Sequence, residues 1–161
     1  MTGWTKALVG VAAGCSAVLV AGLAAGQDQE TLEKAVAARQ GLMKLIVWEA
    51  GPLFAMAKGD MAYDAAVAEE NAKDLNTLTQ YGADALFLPG TSRDELGEKT
   101  AALPAIWQDR EKFVHNFEAL GEQTEKVAAV AGNGQAELAA AVGELGKACG
   151  NCHENFRFKK E

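Results

Sequence analysis

Near its C-terminal end the chain reads KACGNCHENFRFKK over residues 147–160, with Cys149 and Cys152 three positions apart and His153 directly after the second. Two thiols and an imidazole at this spacing admit several chemistries. A zinc knuckle needs four ligands of the Cys and His kind, yet beyond residue 26 the chain offers only these two cysteines, His153 and His115. The neighbours Cys152 and His153 would also be awkward co-ligands. A redox dithiol normally opens a helix that follows a strand, where the helix dipole lowers a thiol pKa; here the pair falls late in a helical pattern. A disulfide within one helical turn closes almost no loop and constrains almost nothing. The remaining chemistry is covalent attachment of haem through both sulfurs, with His153 bound to its iron. Helix positions three apart carry Cβ atoms about 5–6 Å apart on one side. Both sulfurs can then reach the two vinyl groups of one porphyrin, and His153 is held under the ring. One haem c, anchored by Cys149 and Cys152 with His153 as proximal axial ligand, is the expectation.

So little chain follows His153 that any group approaching the opposite face of the ring must come from upstream. His115 lies two positions from both Phe113 and Phe117, which turns it off their stripe and toward solvent. Met56 and Met61 fall beside a turn, where ordinary packing accounts for them. Met43 sits in the stripe Leu32, Val36, Arg39, Met43, Ile46 and Ala50, whose steps of four and three mark one helix face. It is either core filler or a distal iron ligand, a thioether opposite histidine being a known axial pair that raises the reduction potential. Arg39, on the same face, sharpens the second reading. A buried guanidinium needs its charge compensated, and a haem propionate would accept its forked hydrogen bonds. The alternative is that Arg39 snorkels to water or to a surface carboxylate. Arg157 stands one turn after His153. There it either bears on the imidazole and the iron's electronics or joins Lys159 and Lys160 in a basic tail suited to an acidic redox partner.

These residues must be held by helices. Alternating apolar and polar residues are nowhere convincing, and breakers at 57–60, 88–99 and 131–134 divide the chain into four amphipathic segments. The first runs from about Gln29 to Ala57, beginning at Asp28 or Thr31, with Gly51 and Pro52 expected to kink its end. The second covers about Asp64 to Tyr81, with Asp64 as N-cap and Val67, Leu75 and Leu78 facing inward. The third starts at Pro104 and presents Ile106, Phe113, Phe117, Leu120 and Val127. The fourth, about Gln135 to Phe158, presents Leu138, Val142, Leu145, Cys149, Cys152 and Phe156. Short turns and one connection of some 20 residues make an antiparallel four-helix bundle, all-α, with the haem in its core.

The first 26 residues differ in kind. They carry a single charge, Lys6, and then an apolar run that ends in small residues, the pattern of a secretory signal cleaved after Gly26. The rival is an uncleaved membrane anchor, for which the run is poor in strongly hydrophobic residues. Cys15 falls inside the run and reads as part of it rather than as a lipidation site. Residues 27–161 form the expected domain. With 22 acidic against 15 basic residues the chain has a net charge of −7, which disfavours nucleic acid or anionic lipid as partner.

The stretches ARQGLMKL (38–45), AYDAA (62–66), LPGTS (88–92), AIWQD (105–109) and CGNCHENFR (149–157) together resemble the class II c-type cytochromes, the cytochrome c-prime family. The resemblance spans the whole of residues 27–161, and the haem motif near the C-terminus is the family's distinguishing order. It implies an up-down-up-down bundle, a homodimer packed through its first two helices, and the bacterial periplasm. It further implies Cys149 and Cys152 as thioether anchors, His153 as proximal ligand, Arg39 at a propionate, Arg157 near the proximal histidine, and Met43 over the distal face. Phe156 stands where the family often has tyrosine. One branch of the family ligates iron through that methionine; the other leaves iron five-coordinate under an apolar residue, and methionine occurs in both. The expected role is a monohaem carrier of single electrons, not an enzyme, serving redox partner proteins. The alternatives are a binder of small gases such as NO or CO and, from another class, a thiol-disulfide oxidoreductase without haem.

Overall fold

The computed structural model describes the backbone of residues 19–159 and side chains from residue 29 onward. The expected signal segment, Cys15 and Lys160 therefore lie wholly or largely outside the described residues. The chain divides into two compact units, Met1–Thr31 and Leu32–Glu161; the second holds every candidate site residue. Among the described residues no helix is long and apolar enough to cross a membrane.

Among the described residues, four long helices are α1 Leu19–Lys58, α2 Ala65–Thr79, α5 Arg110–Val130 and α6 Gln135–Phe156, and the connection between α2 and α5 holds two short α-helices, α3 Arg93–Leu96 and α4 Ala105–Gln108, with 3-10 turns at Ala83–Leu86 and Gly97–Lys99. No strands occur among the described residues, only one isolated bridge between Ala102 and Arg157. The all-α bundle expected from the apolar spacing is the architecture observed. Local chemistry sets the helix ends. After α1 the chain turns at Gly59, whose φ of 81° favours glycine. Asp64 then caps α2, its Oδ1 accepting from the N–H groups of Ala66 and Val67 at 2.9 and 3.1 Å.

Several boundaries differ from the sequence reading. α1 begins well before Gln29; its other end, Lys58, lies one residue past the expected Ala57, the helix running through Pro52, whose missing N–H removes one bond of the ladder. The third segment is not one helix from Pro104. Asp109 leaves helical geometry at φ −131° and accepts from the Lys112 N–H at 3.2 Å, ending α4 and capping α5. The fourth segment ends at Phe156, not Phe158. Val67, expected to face inward, is 39% exposed, because Ala68 and Ala72 take the inner face of α2 beside Leu75.

The core has two parts. The larger joins Ile46, Leu53 and Met56 of α1 to Ala68, Ala72 and Leu75 of α2, Val127 of α5 and Leu138, Val142 and Leu145 of α6. The smaller comprises Ala102, Ile106, Phe113 and Phe156, with Phe87, Trp107, Phe117 and Cys152 against it. Its rings meet edge to face: Phe113 lies 4.7 Å from Phe87, 5.1 Å from Phe117 and 5.3 Å from Phe156. The end of α6 is stapled to the chain entering α4, the Leu103 N–H donating to Phe156 O at 3.0 Å and the Phe158 N–H to Ala101 O at 2.8 Å. These bonds fix the turn that carries Cys152 and His153.

Candidate functional site

The last two turns of α6 present Cys149, Cys152 and His153. Cys149 packs against the larger core cluster and Cys152 against the aromatic one, so the two sulfurs sit at the junction of the two cores. Both are free thiols. Burial pushes the Cys149 thiol up. Burial, and then the neighbouring Cys149, push Cys152 up to about 11. Such thiols stay protonated near neutrality, the opposite of what a dithiol nucleophile requires. His153 is open to solvent on one side, while surrounding protein and then the charge of Arg157 lower its pKa. A neutral imidazole is the form that binds a metal. No cluster of three or more His, Cys, Asp or Glu able to hold a metal ion occurs among the described residues, so these residues show no zinc-knuckle geometry.

Arg157 caps α6 in an extended conformation, its N–H donating to His153 O at 3.2 Å. Its side chain is exposed, and its charge is one of the two causes that hold the His153 imidazole neutral. Met43 is half-buried and packs, like Cys149, against the larger core. α1 and α6 therefore bring a thioether and the motif's first cysteine to one cluster. His115 is exposed, 3.9 Å from Glu118. Met56 is fully buried within the larger core, and Met61 is exposed.

Arg39 is 3% exposed; it does not snorkel. Its Nη1 donates to Thr91 Oγ1 at 2.7 Å, and its Nη2 to Thr91 O at 2.7 Å and Thr100 Oγ1 at 2.8 Å. The guanidinium carbon lies 4.8 Å from the centre of the Phe87 ring, a cation–π contact. Burial lowers its pKa. All of these partners are neutral, and no carboxylate pairs with Arg39 among the described residues. The sequence alone does not single out Thr91, Thr100 or Phe87. The only hint is that LPGTS, which contains Thr91, is among the stretches carrying the resemblance.

These residues fit a haem. A ring stitched to two adjacent sulfurs and carrying two carboxylates would use the free protonated thiols, the neutral imidazole and a buried cation that lacks a counter-charge.

Comparison with known proteins agrees. The family model for cytochrome c' matches residues 34–157. The chain is 47% identical to cytochrome c' of Cereibacter sphaeroides over 89% of its own length and 96% of that protein's. It is 40% identical to cytochrome c-554 of the same organism, over 88% and 92%. Among solved structures, cytochrome c' from Rhodobacter sphaeroides superposes with a TM-score of 0.77 at 49% identity, covering 80% of this chain and 98% of that one. A nitric oxide complex of a variant cytochrome c prime from Alcaligenes xylosoxidans gives 0.70 at 34% identity, covering 80% and 97%. The motif, the bundle and these likenesses lead to one conclusion: the chain belongs to the cytochrome c' family, class II c-type cytochromes built as four-helix bundles around a covalently bound haem c.

Proposed function

We propose that residues 27–161, exported to the periplasm by the signal at 1–26, carry single electrons. Cys149 and Cys152 anchor one haem c, His153 is its proximal ligand, Met43 its distal ligand, and Arg39 answers a propionate. The haem supplies an iron that cycles between ferric and ferrous. The protein's residues do the rest. His153 binds as the neutral imidazole; the phenylalanine cluster excludes water from the Cys152 side; Arg39 offsets negative charge at the ring's edge; no substrate bond is made or broken. The observation that carries this reading is the packing of Met43 on α1 against the same core as Cys149 on α6, which brings a soft sulfur donor to the cluster where the haem is anchored. Visible spectra of the oxidised and reduced protein test it. A low-spin spectrum that turns high-spin on Met43→Ala is the expected outcome. A spectrum that is high-spin from the start and unchanged by the substitution removes Met43 as ligand.

A second reading is favoured by the likeness to the nitric oxide complex and by Met43 being only half-buried, free to lean aside. In that case iron is five-coordinate, and an apolar distal face admits NO or CO while disfavouring anions. Ready carbon monoxide binding by the unaltered protein supports it.

Export and assembly belong to the same proposal. The mass of the protein recovered from the periplasm should correspond to a chain beginning at Gln27 plus one haem; a mass that retains residues 1–26 overturns the cleavage. The homodimer pairs α1 and α2, on which Leu45, Val47, Trp48 and Val67 are exposed. The redox partner that docks near Arg157 and Lys159 is acidic.

A further inference from the structure

The buried cluster around Arg39 has more donors than acceptors. Thr91, fully buried, gives its hydroxyl proton to Leu88 O at 2.7 Å and so turns a lone pair toward Arg39 Nη1. Thr100, 4% exposed, accepts from Arg39 Nη2 at 2.8 Å and from the Ala102 N–H at 3.1 Å. Both of its acceptor positions are thereby used. Its own hydroxyl proton has no acceptor among the described residues. A guanidinium has five N–H donors, of which Arg39 commits one on Nη1 and two on Nη2. The remaining two and the Thr100 proton have no acceptor among the described residues, and the positive charge has no carboxylate there to answer it, so this cluster has donor capacity to spare for an anion. Three other charged groups of this connection are already engaged. Arg93 donates to Thr100 O at 3.4 Å, Lys99 pairs with Glu33 at 2.9 Å, and Glu95 accepts from the Ser92 hydroxyl at 2.7 Å.

We infer that Arg39, Thr91 and Thr100 form one carboxylate-binding site, in which Thr100 donates to the carboxylate beside Arg39 and Thr91 is a positioning residue that orients the guanidinium. The inference rests on the proposed function, since the carboxylate it takes is a propionate of the haem. It adds the two threonines, which lie 52 and 61 positions from Arg39. The long connection thereby acquires a purpose, because residues 91–100 hold the α1 arginine to the ring.

The test is a redox titration of the haem-loaded protein and its variants at fixed pH. Donors at the carboxylate neutralise part of its negative charge, and negative charge near iron favours the ferric state. Thr100→Val, which keeps the side-chain shape, should therefore lower the reduction potential, seen as a several-fold drop in the reduced-to-oxidised ratio at one applied potential. Thr100→Ser, which restores the hydroxyl, should return the ratio to the wild-type value. Thr91→Val should lower the ratio in the parent protein but add nothing in an Arg39→Leu background, because it acts through the arginine. A Thr100→Val potential equal to wild type overturns the inference, whatever its melting temperature. An effect of Thr91→Val that persists without Arg39 overturns the positioning role. If Arg39→Leu itself leaves the potential unmoved, the propionate assignment to Arg39 fails first, and this outcome is distinguishable from failure of the threonines alone.

Discussion

Phe113 meets three other phenylalanine rings within 5.3 Å and is 2% exposed, at the cluster that also receives Cys152. Removing that ring withdraws edge-to-face partners from Phe87, Phe117 and Phe156 together and opens a cavity the neighbours can only partly fill. Phe113→Ala should cost about 3–5 kcal/mol of stability, measured by denaturant unfolding of the haem-loaded protein. Phe113→Leu, which keeps most of the volume, should cost well under half of that. Equal losses in the two variants would mean that ring geometry rather than volume is what the site needs. Sequence spacing places Phe113, Phe117 and Phe156 on inward faces because each lies on a long helix with a clean stripe. Phe87 carries no such signal: it sits in an irregular connection, and only the fold brings it under Arg39. The same limit hides Thr91 and Thr100. A helix stripe marks Arg39 as buried, but the hydrogen-bonding partners of a buried charge come from anywhere in the chain, and no local pattern announces them.

At the scale of elements, the connection between α2 and α5 shows what local chemistry can and cannot tell. Its length is legible in the sequence; its content of short helices is not, since a four-residue helix has no period to detect. α3 is held by a capping box: the Ser92 N–H and hydroxyl both reach the Glu95 carboxylate, at 3.0 and 2.7 Å. These two bonds, the side-chain one first, hold the Glu95 pKa below its ordinary carboxylate value. A depressed folded-state pKa contributes stability above the unfolded value of 4.5 that is lost as pH falls through the folded value. The capped connection should accordingly loosen on acidification below about pH 4.5, and amide exchange across residues 92–100 should quicken there. Glu95→Gln, which cannot ionise, should abolish that pH dependence while keeping part of the cap. Exchange that is equally pH-dependent in the Gln variant would assign the loosening to another group. Asp109 escapes detection for a related reason. Pro104 does signal a helix start, but Asp109 five positions on is a stronger cap for a longer helix, and two starts in succession read from sequence as one. Asp64 stands alone before its helix, so its capping role is plain from the sequence.

For the whole molecule, α1 has two unlike faces. One contributes Arg39, Met43, Ile46, Leu53 and Met56 to the interior, while Trp48 is 74% exposed, Val47 69% and Leu45 51%. Single exposed apolar residues are ordinary on a protein surface; Leu45 and Trp48, three positions apart and so neighbours on one face of the helix that also bears Met43, form a patch, with Val47 on its flank. An indole alone removes about 150–250 Å² from water when covered, worth several kcal/mol at about 25 cal/mol per Å², and a two-fold pairing counts each residue twice because the same patch meets itself. Electrostatics sets the limit on this gain: at a net charge of −7 two copies repel, and that repulsion weakens with added salt. Dimerisation through α1 should therefore strengthen at higher ionic strength, opposite to an interface held by ion pairs. Trp48→Glu places two further negative charges at the two-fold axis and should yield a monomer in sedimentation. Its visible spectrum should stay that of the parent, since the substituted side chain points away from the face that bears Met43. A wild-type protein that sediments as a monomer at all salt concentrations removes self-pairing as the purpose of this face. A dimer indifferent to Trp48→Glu would shift the contact to another helix.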